Sequence, residues 1–319
     1  MNLLFRDVAG PCLAPRGSAV CIGAFDGVHR GHQAVLAQVR TNAQVHGLTP
    51  VAVSFAPIPR VFFARDDAVP QLSSTREKIA LLRLAGMDRV LLLRFGAKLA
   101  AMSAQDFVER VLVRRLRARH VLVGPGFRFG HARAGDLALL QQMGKVHGFE
   151  AAEVAPFALD GERVSSSRTR ILLGAGDFDA AGRLLGRRFG IGGHVVRGAQ
   201  LGRKLGFPTA NLRLGTRVSP VAGVFAVKVH GVRDAAMPGV ASLGTRPTVD
   251  GREVLLEAHL FDFDGDLYGK RIEVEFVQKL RAEEKFDGLD AMVKQIDLDA
   301  QAAREILGRS TTATAGALT

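Results

Sequence analysis

The first half of the chain alternates short apolar runs with segments of helical periodicity, and this alternation constrains the fold more than any other feature. Five runs are typical of buried strands: 19–25 (AVCIGAF), 51–55 (VAVSF), 89–93 (RVLLL), 120–124 (HVLVG) and 150–154. Between them, apolar residues recur at helical spacing over 32–46, 74–86, 103–117 and 134–147. Near-continuous apolar strands joined by right-handed helical crossovers predict a doubly wound parallel sheet.

The pattern changes near residue 186. A last helical stretch covers 177–185, and glycines interrupt the chain after it. Apolar runs then follow one another without helices, over 189–197, 223–230, 239–243, 253–262 and 271–279, and a helical pattern covers 287–308. This order predicts a small antiparallel β-barrel or β-sandwich with a terminal helix, and we favour the barrel. We therefore predict an α/β domain at 1–185, a β domain at 186–309 and a disordered tail at 310–319.

Composition narrows the class of protein. The formal net charge of +12 indicates an anionic partner, which charge alone cannot assign to nucleic acid, membrane or phosphate-rich substrates. Cys12 and Cys21 are the two cysteines, and their spacing matches no metal or redox motif. The sequence lacks a window of about 18 consecutive apolar residues and a signal-peptide pattern at its start. These features predict a cytoplasmic protein with no membrane partner.

The first predicted strand runs into the sequence GAFDGVHRGH (23–32), and a helical pattern follows at once. A helix N-terminus offers free N–H groups and partial positive charge, glycines allow close backbone approach, and imidazoles donate to phosphate oxygens. The loop with His29 and His32 is therefore a candidate cradle for a triphosphate, and a glycine-rich turn with two surface histidines is the alternative. The motifs of P-loop kinases, dinucleotide dehydrogenases and serine hydrolases do not occur.

This loop resembles the signature of the HxGH nucleotidyltransferase superfamily, and its longer form that of bacterial FAD synthetases. Four further segments follow in the order of that family: 54–63 (SFAPIPRVFF), 72–78 (LSSTREK), 123–130 (VGPGFRFG) and 163–170 (RVSSSRTR). The resemblance implies adenylyl transfer from ATP to FMN, with His29 and His32 as catalytic residues and Phe127 at the flavin. The residues it implies for ATP binding are Gly23, Phe25, Asp26, His29, Gly31, His32, Arg163, Ser166, Ser167 and Arg170.

Two positions depart from the family pattern. Gly126 stands where family members usually carry Asp or Asn, and Ser-Ser-Ser-Arg-Thr-Arg (165–170) replaces the usual SSTxIR. Serine in place of threonine keeps the hydroxyl group. Gly126 removes a side chain that hydrogen-bonds nucleotide or flavin, so we expect weakened adenylyl transfer.

The second domain opens with the loop GAQLGRKLGFPTAN (198–211), which ends in a hydroxyl and an amide. Such groups ligate Mg²⁺ or bind phosphate oxygens, although by itself the segment is only a turn-rich loop. It closely resembles the nucleotide-binding segment of riboflavin kinases. The resemblance implies Mg²⁺ at Thr209 and Asn211, and ATP binding by Gly198, Gly202, Lys204, Gly206, Phe207, Pro208, Thr209 and Asn211.

Glu257 lies among apolar residues in a predicted strand, and by alternation it shares a face with Leu255 and His259. If that face lines a site, the carboxylate is a candidate general base; otherwise it is a solvent-facing side chain. The riboflavin kinase resemblance assigns it as the base that accepts the proton of the ribityl hydroxyl. The same resemblance implies a flap over the flavin that carries Arg281 and Phe286.

An arginine-rich stretch raises one alternative. Its arginines, which end a predicted helix, are Arg110, Arg114, Arg115, Arg117 and Arg119. They indicate either a nucleic-acid surface or, as we favour, a solvated helix end where cations meet the helix dipole favourably. A nucleic-acid-binding or regulatory descendant of the enzyme stays open, and so does an HxGH enzyme for pantetheine phosphate or nicotinamide mononucleotide.

The combined prediction is a bifunctional enzyme that phosphorylates riboflavin to FMN and adenylylates FMN to FAD, with ATP and Mg²⁺. A flavin kinase module on the same chain argues against the other HxGH substrates. We predict small-molecule partners, no nucleic acid, and a monomer or weak homo-oligomer.

Overall fold

A computed structural model describes residues 3–64, 69–198, 202, 205–215, 217–248 and 251–315. Residue contacts divide the chain into two compact units. The first unit consists of Met1–Val69 and Ser73–Ser166, and the second of Pro70–Leu72 and Ser167–Thr319. The division by contacts falls at 166, whereas the change of sequence pattern falls at 186. The helices between these positions pack with the core of the second unit through Phe178, Ala181 and Leu185.

The first unit contains a six-stranded parallel sheet, which confirms the predicted fold class. Its strands are β1 Leu4–Arg6, β2 Ser18–Ile22, β3 Thr49–Ala56, β4 Arg89–Arg94, β5 Ala118–Val123 and β6 Glu150–Glu153. They are ordered β1-β4-β3-β2-β5-β6. The sequence pattern missed β1, because it is three residues long and only partly buried, and pairs with β4 at the sheet edge. A short hairpin, β7 Ala158–Leu159 and β8 Glu162–Arg163, follows the sheet.

Helices cover both faces of this sheet. They are α1 Arg30–His46, α2 Pro59–Phe63, α3 Thr75–Leu84, α4 Ala97–Ala100, α5 Ala104–Phe107 and α6 Leu137–His147, with a 3₁₀ turn at His131–Arg133. The predicted helix over 103–117 is instead α5 followed by a π-helical stretch, Val108–Arg115. Helix α1 packs Leu36 and Val39 on one face of the sheet, and the π-helical stretch packs Val111 and Leu112 on the other.

Helix α7 Ser166–Ala175, which lies in the second unit from Ser167 onward, and α8 Phe178–Leu185 precede a closed antiparallel barrel, which also confirms the prediction. The barrel strands are β9 Gly190–Val196, β10 Ala210–Arg213, β11 Gly223–His230, β12 Met237–Thr248, β13 Gly251–Leu260 and β14 Arg271–Arg281. They are ordered β10-β13-β12-β11-β14-β9. The short strand β10, which follows the glycine-rich loop, escaped the sequence pattern.

A terminal helix, α9 Leu289–Ala315, covers one outer side of the barrel. Its Ala300, Ala303 and Leu307 pack against Val224 and Phe261 of the barrel. The helix runs to Ala315 and so overlaps the start of the tail that the sequence predicts from residue 310, of which 316–319 lie outside the described residues. In the part of the chain that the structure describes, no helix has both the length and the apolar character needed to cross a membrane.

Candidate active sites

Residues 23–29 connect β2 to α1 across the carboxyl edge of the parallel sheet. Strand β2 lies between β3 and β5, where successive connections leave the sheet in opposite directions. Such a switch point is where open α/β sheets bind ligands. Phe25 and Val28 have backbone φ angles of +48° and +42°, values that residues other than glycine rarely adopt. Both are buried, so the surrounding packing holds this strained loop.

His29 and His32 lie together at the start of α1, as predicted. Their rings stack with centroids 3.7 Å apart, and Nδ1 of His29 accepts a hydrogen bond from the backbone N–H of His32 at 3.3 Å. Burial lowers the pKa of His32 well below 6.5, and the charges of His29 and Lys78 act in the same direction. His32 is therefore a neutral imidazole. Its buried Nδ1 has no hydrogen-bond partner among the described residues, which leaves it for a ligand.

The beginning of α3 holds this loop from one side. Ser73 donates from its backbone N–H to Oδ1 of Asp26 at 3.1 Å and accepts from the backbone N–H of Gly27 at 3.0 Å. Further along α3, the ammonium group of Lys78 donates to the carbonyl oxygen of Ala24 at 3.0 Å. Ser73 and Lys78 were not among the predicted site residues. The segment LSSTREK, which contains both, was the only signal for them.

The later basic segment contacts the loop through Ser166 and Val164. Oγ of Ser166 donates to the carbonyl oxygen of Asp26 at 3.0 Å. A side chain at Gly31 would place its Cβ 3.3 Å from the carbonyl oxygen of Val164, so the close approach of the two segments favours glycine. Arg163 is exposed, and its Nη2 lies 3.5 Å from the carbonyl oxygen of Pro125.

The other two residues predicted in this segment belong to the second unit by their contacts. Ser167 is exposed there. Nε of Arg170 donates to the carbonyl oxygen of Pro70 at 2.6 Å, within the same unit. Their assignment to ATP stays a prediction.

A cavity of about 1230 Å³ opens beside Gly23 and Ala24 in the first unit. Its aromatic lining is Phe55, Phe63, Phe95, Phe107, Phe127 and Phe129. Three arginines also line it: Arg60, Arg128 and Arg133. Phe127 and Phe129 stack with centroids 5.5 Å apart. The cavity therefore suits a planar aromatic ligand that carries an anionic group. The sequence singled out Phe127 but could not say which other phenylalanines face the same space.

Gly126 has a φ of +70°, and its backbone N–H donates to Oε2 of Glu153 at 2.9 Å. Apart from its two chain neighbours, no described residue has an atom within 4 Å of the position a Cβ would take. Glycine, Asn and Asp are the residues that adopt this left-handed conformation most readily. The backbone therefore accommodates the residue types that the family usually carries here.

In the second unit, strand register brings the candidate catalytic groups together on the outside of the barrel. Glu257 of β13 pairs with Asn211 of β10 and with Ser242 of β12. Their neighbours Leu212 and Leu256 point into the core, so Asn211, Ser242 and Glu257 share the opposite face. Glu257 is half-buried on this face, as the alternation predicted.

Asn211 is 4% exposed and faces the end of the glycine-rich loop. Its Nδ2 donates to the carbonyl oxygen and Oγ1 of Thr209, at 3.2 and 3.3 Å. Its buried Oδ1 has no hydrogen-bond partner in the part of the chain described. A Cβ at Gly198 would lie 2.6 Å from this Oδ1, so the loop passes too closely for any side chain. The site thus presents hydroxyl and amide oxygens, which suit Mg²⁺.

Gly202, one of the described residues of this loop, lies close to Phe207. A Cβ at Gly202 would lie 2.3 Å from the carbonyl oxygen of Phe207, which requires glycine there. The Phe207 ring contacts His259, whose Nδ1 lies 2.9 Å from the carbonyl oxygen of Pro208. Gly206 adopts a φ of +86°. Lys204, which was predicted to bind ATP, lies outside the described residues.

Arg281 is paired within the protein itself. Its Nε donates to Oδ1 of Asp299 at 3.0 Å, and Nη2 donates to Oδ2 at 2.8 Å. The hydrogen bonds to Asp299 raise the pKa of Arg281. Its Cζ also lies 5.6 Å from the centre of the Phe286 ring. The predicted flavin contacts of Arg281 and Phe286 stay a prediction, and a flavin would have to share Arg281 with Asp299.

Comparisons with known proteins identify the family of each part of the chain. The family model for FAD synthetase matches residues 13–168, and the model for riboflavin kinase matches residues 185–307. The chain is 43% identical over 306 residues to a bifunctional riboflavin kinase/FMN adenylyltransferase of Escherichia coli K12, covering 96% of this chain and 98% of that protein. A protein of the same name from Pseudomonas fluorescens is 46% identical over 296 residues, covering 92% and 94% of the two chains.

One solved structure resembles the whole chain. It is described as a macrolide-efflux protein from Streptococcus pneumoniae, with 28% sequence identity and a TM-score of 0.76. The match covers 95% of this chain and 99% of that one. The likeness supports the fold of both units.

Proposed function

The chain belongs to the family of bifunctional riboflavin kinase/FMN adenylyltransferases, and from this premise we propose which residues carry out each reaction. The enzyme phosphorylates riboflavin to FMN with ATP and transfers AMP from a second ATP to FMN, which yields FAD and pyrophosphate. One observation supports this proposal most. In the sequence motif of each unit, a buried polar atom has no hydrogen-bond partner among the described residues. These atoms are Nδ1 of His32 and Oδ1 of Asn211.

In the first unit, the FMN phosphate oxygen attacks the α-phosphorus of ATP and the bond to the departing pyrophosphate breaks. Such a step needs positioning and neutralisation of charge rather than a covalent intermediate. His32, held neutral, donates a hydrogen bond to a phosphate oxygen, and the free N–H groups at the start of α1 receive the adjacent oxygens. Arg163, Ser166, Ser167 and Arg170 neutralise the pyrophosphate.

The flavin ring of FMN occupies the cavity lined by phenylalanines, with Phe127 against its face. The cavity adjoins Gly23 and Ala24 of the loop, so a flavin held there extends its phosphate toward ATP. Arg60 and Arg133 of the lining supply positive charge that favours this phosphorylated ligand over riboflavin, whereas Arg128 forms a salt bridge with Asp136. Phe127→Ala should raise the KM for FMN in adenylyl transfer and leave the KM for riboflavin in the kinase reaction unchanged.

In the second unit, Glu257 accepts the proton of the ribityl 5′-hydroxyl as its oxygen attacks the γ-phosphorus of ATP, and ADP leaves. Thr209 and Asn211 fit Mg²⁺, because both offer neutral oxygens and Oδ1 of Asn211 is buried without a protein partner among the described residues. The bound ion would neutralise charge on the phosphates of ATP. The glycines of 198–206 allow the backbone to approach these phosphates.

A time course tests the whole assignment. The purified protein is incubated with riboflavin, ATP and Mg²⁺, and the three flavins are separated by chromatography. We expect FMN to appear first and FAD to follow. FMN that accumulates without FAD would limit this chain to the kinase reaction and would point to Gly126. Omission of Mg²⁺ with a chelator should stop both reactions.

We propose that the arginine-rich stretch does not serve a nucleic acid. Arg115 is buried and donates to the carbonyl oxygens of Pro11 and Arg6. Arg117 donates to the carbonyl oxygen of Pro15, and Arg119 to that of Gly148. These side chains thus stabilise their own unit. We also propose a cytoplasmic monomer or weak homo-oligomer, which light scattering over a range of protein concentrations tests.

A further inference from the structure

Lys78 is a charged side chain that the mechanism above does not use. It lies on α3 and is only 3% exposed. Its ammonium group donates to the carbonyl oxygens of Phe55 at 2.9 Å and Ala24 at 3.0 Å, and to Oγ of Ser54 at 3.3 Å. Lysine is rarely buried, because its charge loses hydration. The burial of Lys78 therefore indicates that its ammonium group has a function in this unit.

The three acceptors belong to the two elements that frame the ligands. Ala24 lies in the strained loop after β2, and Ser54 and Phe55 lie near the end of the adjacent strand β3. Ala24 and Phe55 also line the cavity. Lys78 thus ties the histidine loop to the wall of the cavity. Ser73, which precedes the same helix, holds the loop further along at Asp26 and Gly27.

The protonation state of Lys78 determines how many hydrogen bonds it donates to the loop after β2 and to β3. Burial lowers the pKa of Lys78 to about 8, although Asp26 partly opposes this effect. The titratable groups that interact with it are Asp26 from the loop and His32 from α1, while β3 contributes the uncharged hydroxyl of Ser54 and carbonyl group of Phe55. A protonated amine has three hydrogens for three acceptors. The neutral amine has two, so deprotonation leaves one acceptor without its donor.

We propose that Lys78 is a positioning residue for adenylyl transfer. In its protonated form it fixes the carbonyl groups of Ala24 and Phe55. It thereby keeps His29 and His32 at a fixed position relative to the wall of the flavin cavity. This inference rests on the proposed assignment of adenylyl transfer to the loop at 23–32. It adds a dependence on pH that the kinase reaction, carried by the other unit, does not share.

The first test compares pH profiles. We expect kcat/KM for ATP in adenylyl transfer by the wild type to fall as pH rises above about 8, because kcat/KM reports the free enzyme. Lys78→Met should lower this kcat/KM about 30-fold, since small displacements of reacting groups cost up to 100-fold, and should abolish the alkaline decline. Riboflavin kinase activity in the same samples should be unchanged. Lys145→Met, an exposed lysine of α6, is the matched control.

The pH dependence of the free energy of unfolding distinguishes a positioning role of Lys78 from a merely structural one. The folded pKa of about 8 lies below the ordinary 10.5, so between these values the unfolded chain binds a proton that the folded unit does not. The contribution of Lys78 to the free energy of unfolding therefore rises with pH over this range. Adenylyl transfer should fall over the same range. Activity that followed stability, or a flat wild-type profile, would overturn the proposal.

A second variant covers the case in which Lys78→Met does not fold. Lys78→Arg keeps a positive charge at all these pH values, so its activity should not decline between pH 8 and 10. An alkaline decline in Lys78→Arg equal to that of the wild type would overturn the proposal. His32→Ala is measured in parallel. If that variant still forms FAD at the wild-type rate, the loop assignment itself fails, whatever the result at Lys78.

Discussion

The two units build their active sites in different ways. In the first, the groups that we propose to contact ATP are neighbours in sequence: His29 caps α1 and His32 lies in its first turn. In the second, Asn211 and Glu257 are far apart in sequence, and the pairing of β10 with β13 brings them together. The first site depends on the conformation of one strained loop, and the second on the register of a barrel.

This difference determines what a substitution does. The loop at 23–29 is held by hydrogen bonds to Ser73 and Lys78, which lie outside the loop, so changes at these positions should impair adenylyl transfer. The barrel face is held by backbone hydrogen bonds, which survive side-chain changes. Variants of the second site should therefore lose chemistry without loss of structure.

The largest effect should come from Glu257→Gln. The amide keeps the size of the side chain but cannot accept the proton of the ribityl hydroxyl. We expect riboflavin kinase activity to fall about 1000-fold, within the range of general base catalysis, while adenylyl transfer to supplied FMN is unchanged. Glu273→Gln, an exposed glutamate of β14, is the control. A Glu257→Gln enzyme that phosphorylates riboflavin at the wild-type rate would remove Glu257 from the mechanism.

His32→Ala should give the reverse pattern. Loss of one positioned donor to the reacting phosphates should lower adenylyl transfer about 300-fold, and phosphorylation of riboflavin should continue. The two reactions are followed by chromatography of the flavins. His147→Ala, in the last turn of α6, provides a histidine control in the same unit. Loss of both activities in a folded His32→Ala protein would contradict separate sites.

The sequence predicted the elements of the first site because its signals are local. An apolar strand, a glycine-rich turn and a helix that starts beside His29 follow one another within the window that patterns cover. Lys78 was not singled out, because the segment 72–78 that contains it gives no sign that a lysine bonded to carbonyl and hydroxyl oxygens is buried there. The pairing of Glu257 with Asn211 also depends on a register that periodicity does not give. The salt bridge between Arg281 and Asp299 likewise joins β14 to α9, and the two residues are too far apart in sequence for one motif to contain both.

Asp299→Asn should reduce stability rather than chemistry. Asp299 is 6% exposed and receives hydrogen bonds from Arg281 and Gln295. Loss of the charged acceptor should lower the free energy of unfolding of the second unit by about 2 kcal/mol. Thermal denaturation measures this change. Asp297→Asn, an exposed position on the same helix, should have little effect. Equal stability of the two variants would show that the pair does not hold α9 to the barrel.

The smallest effect should come from Gly126→Asn, which restores the residue type that the family usually carries. The left-handed backbone and the open space around it accept asparagine, so stability should be unchanged. One added hydrogen bond to nucleotide or flavin should raise adenylyl transfer about 5-fold. Gly47→Asn tests the same substitution at a left-handed glycine with open surroundings at the far end of α1. If adenylyl transfer decreased in Gly126→Asn and not in Gly47→Asn, the substrates would need the space that glycine leaves at position 126.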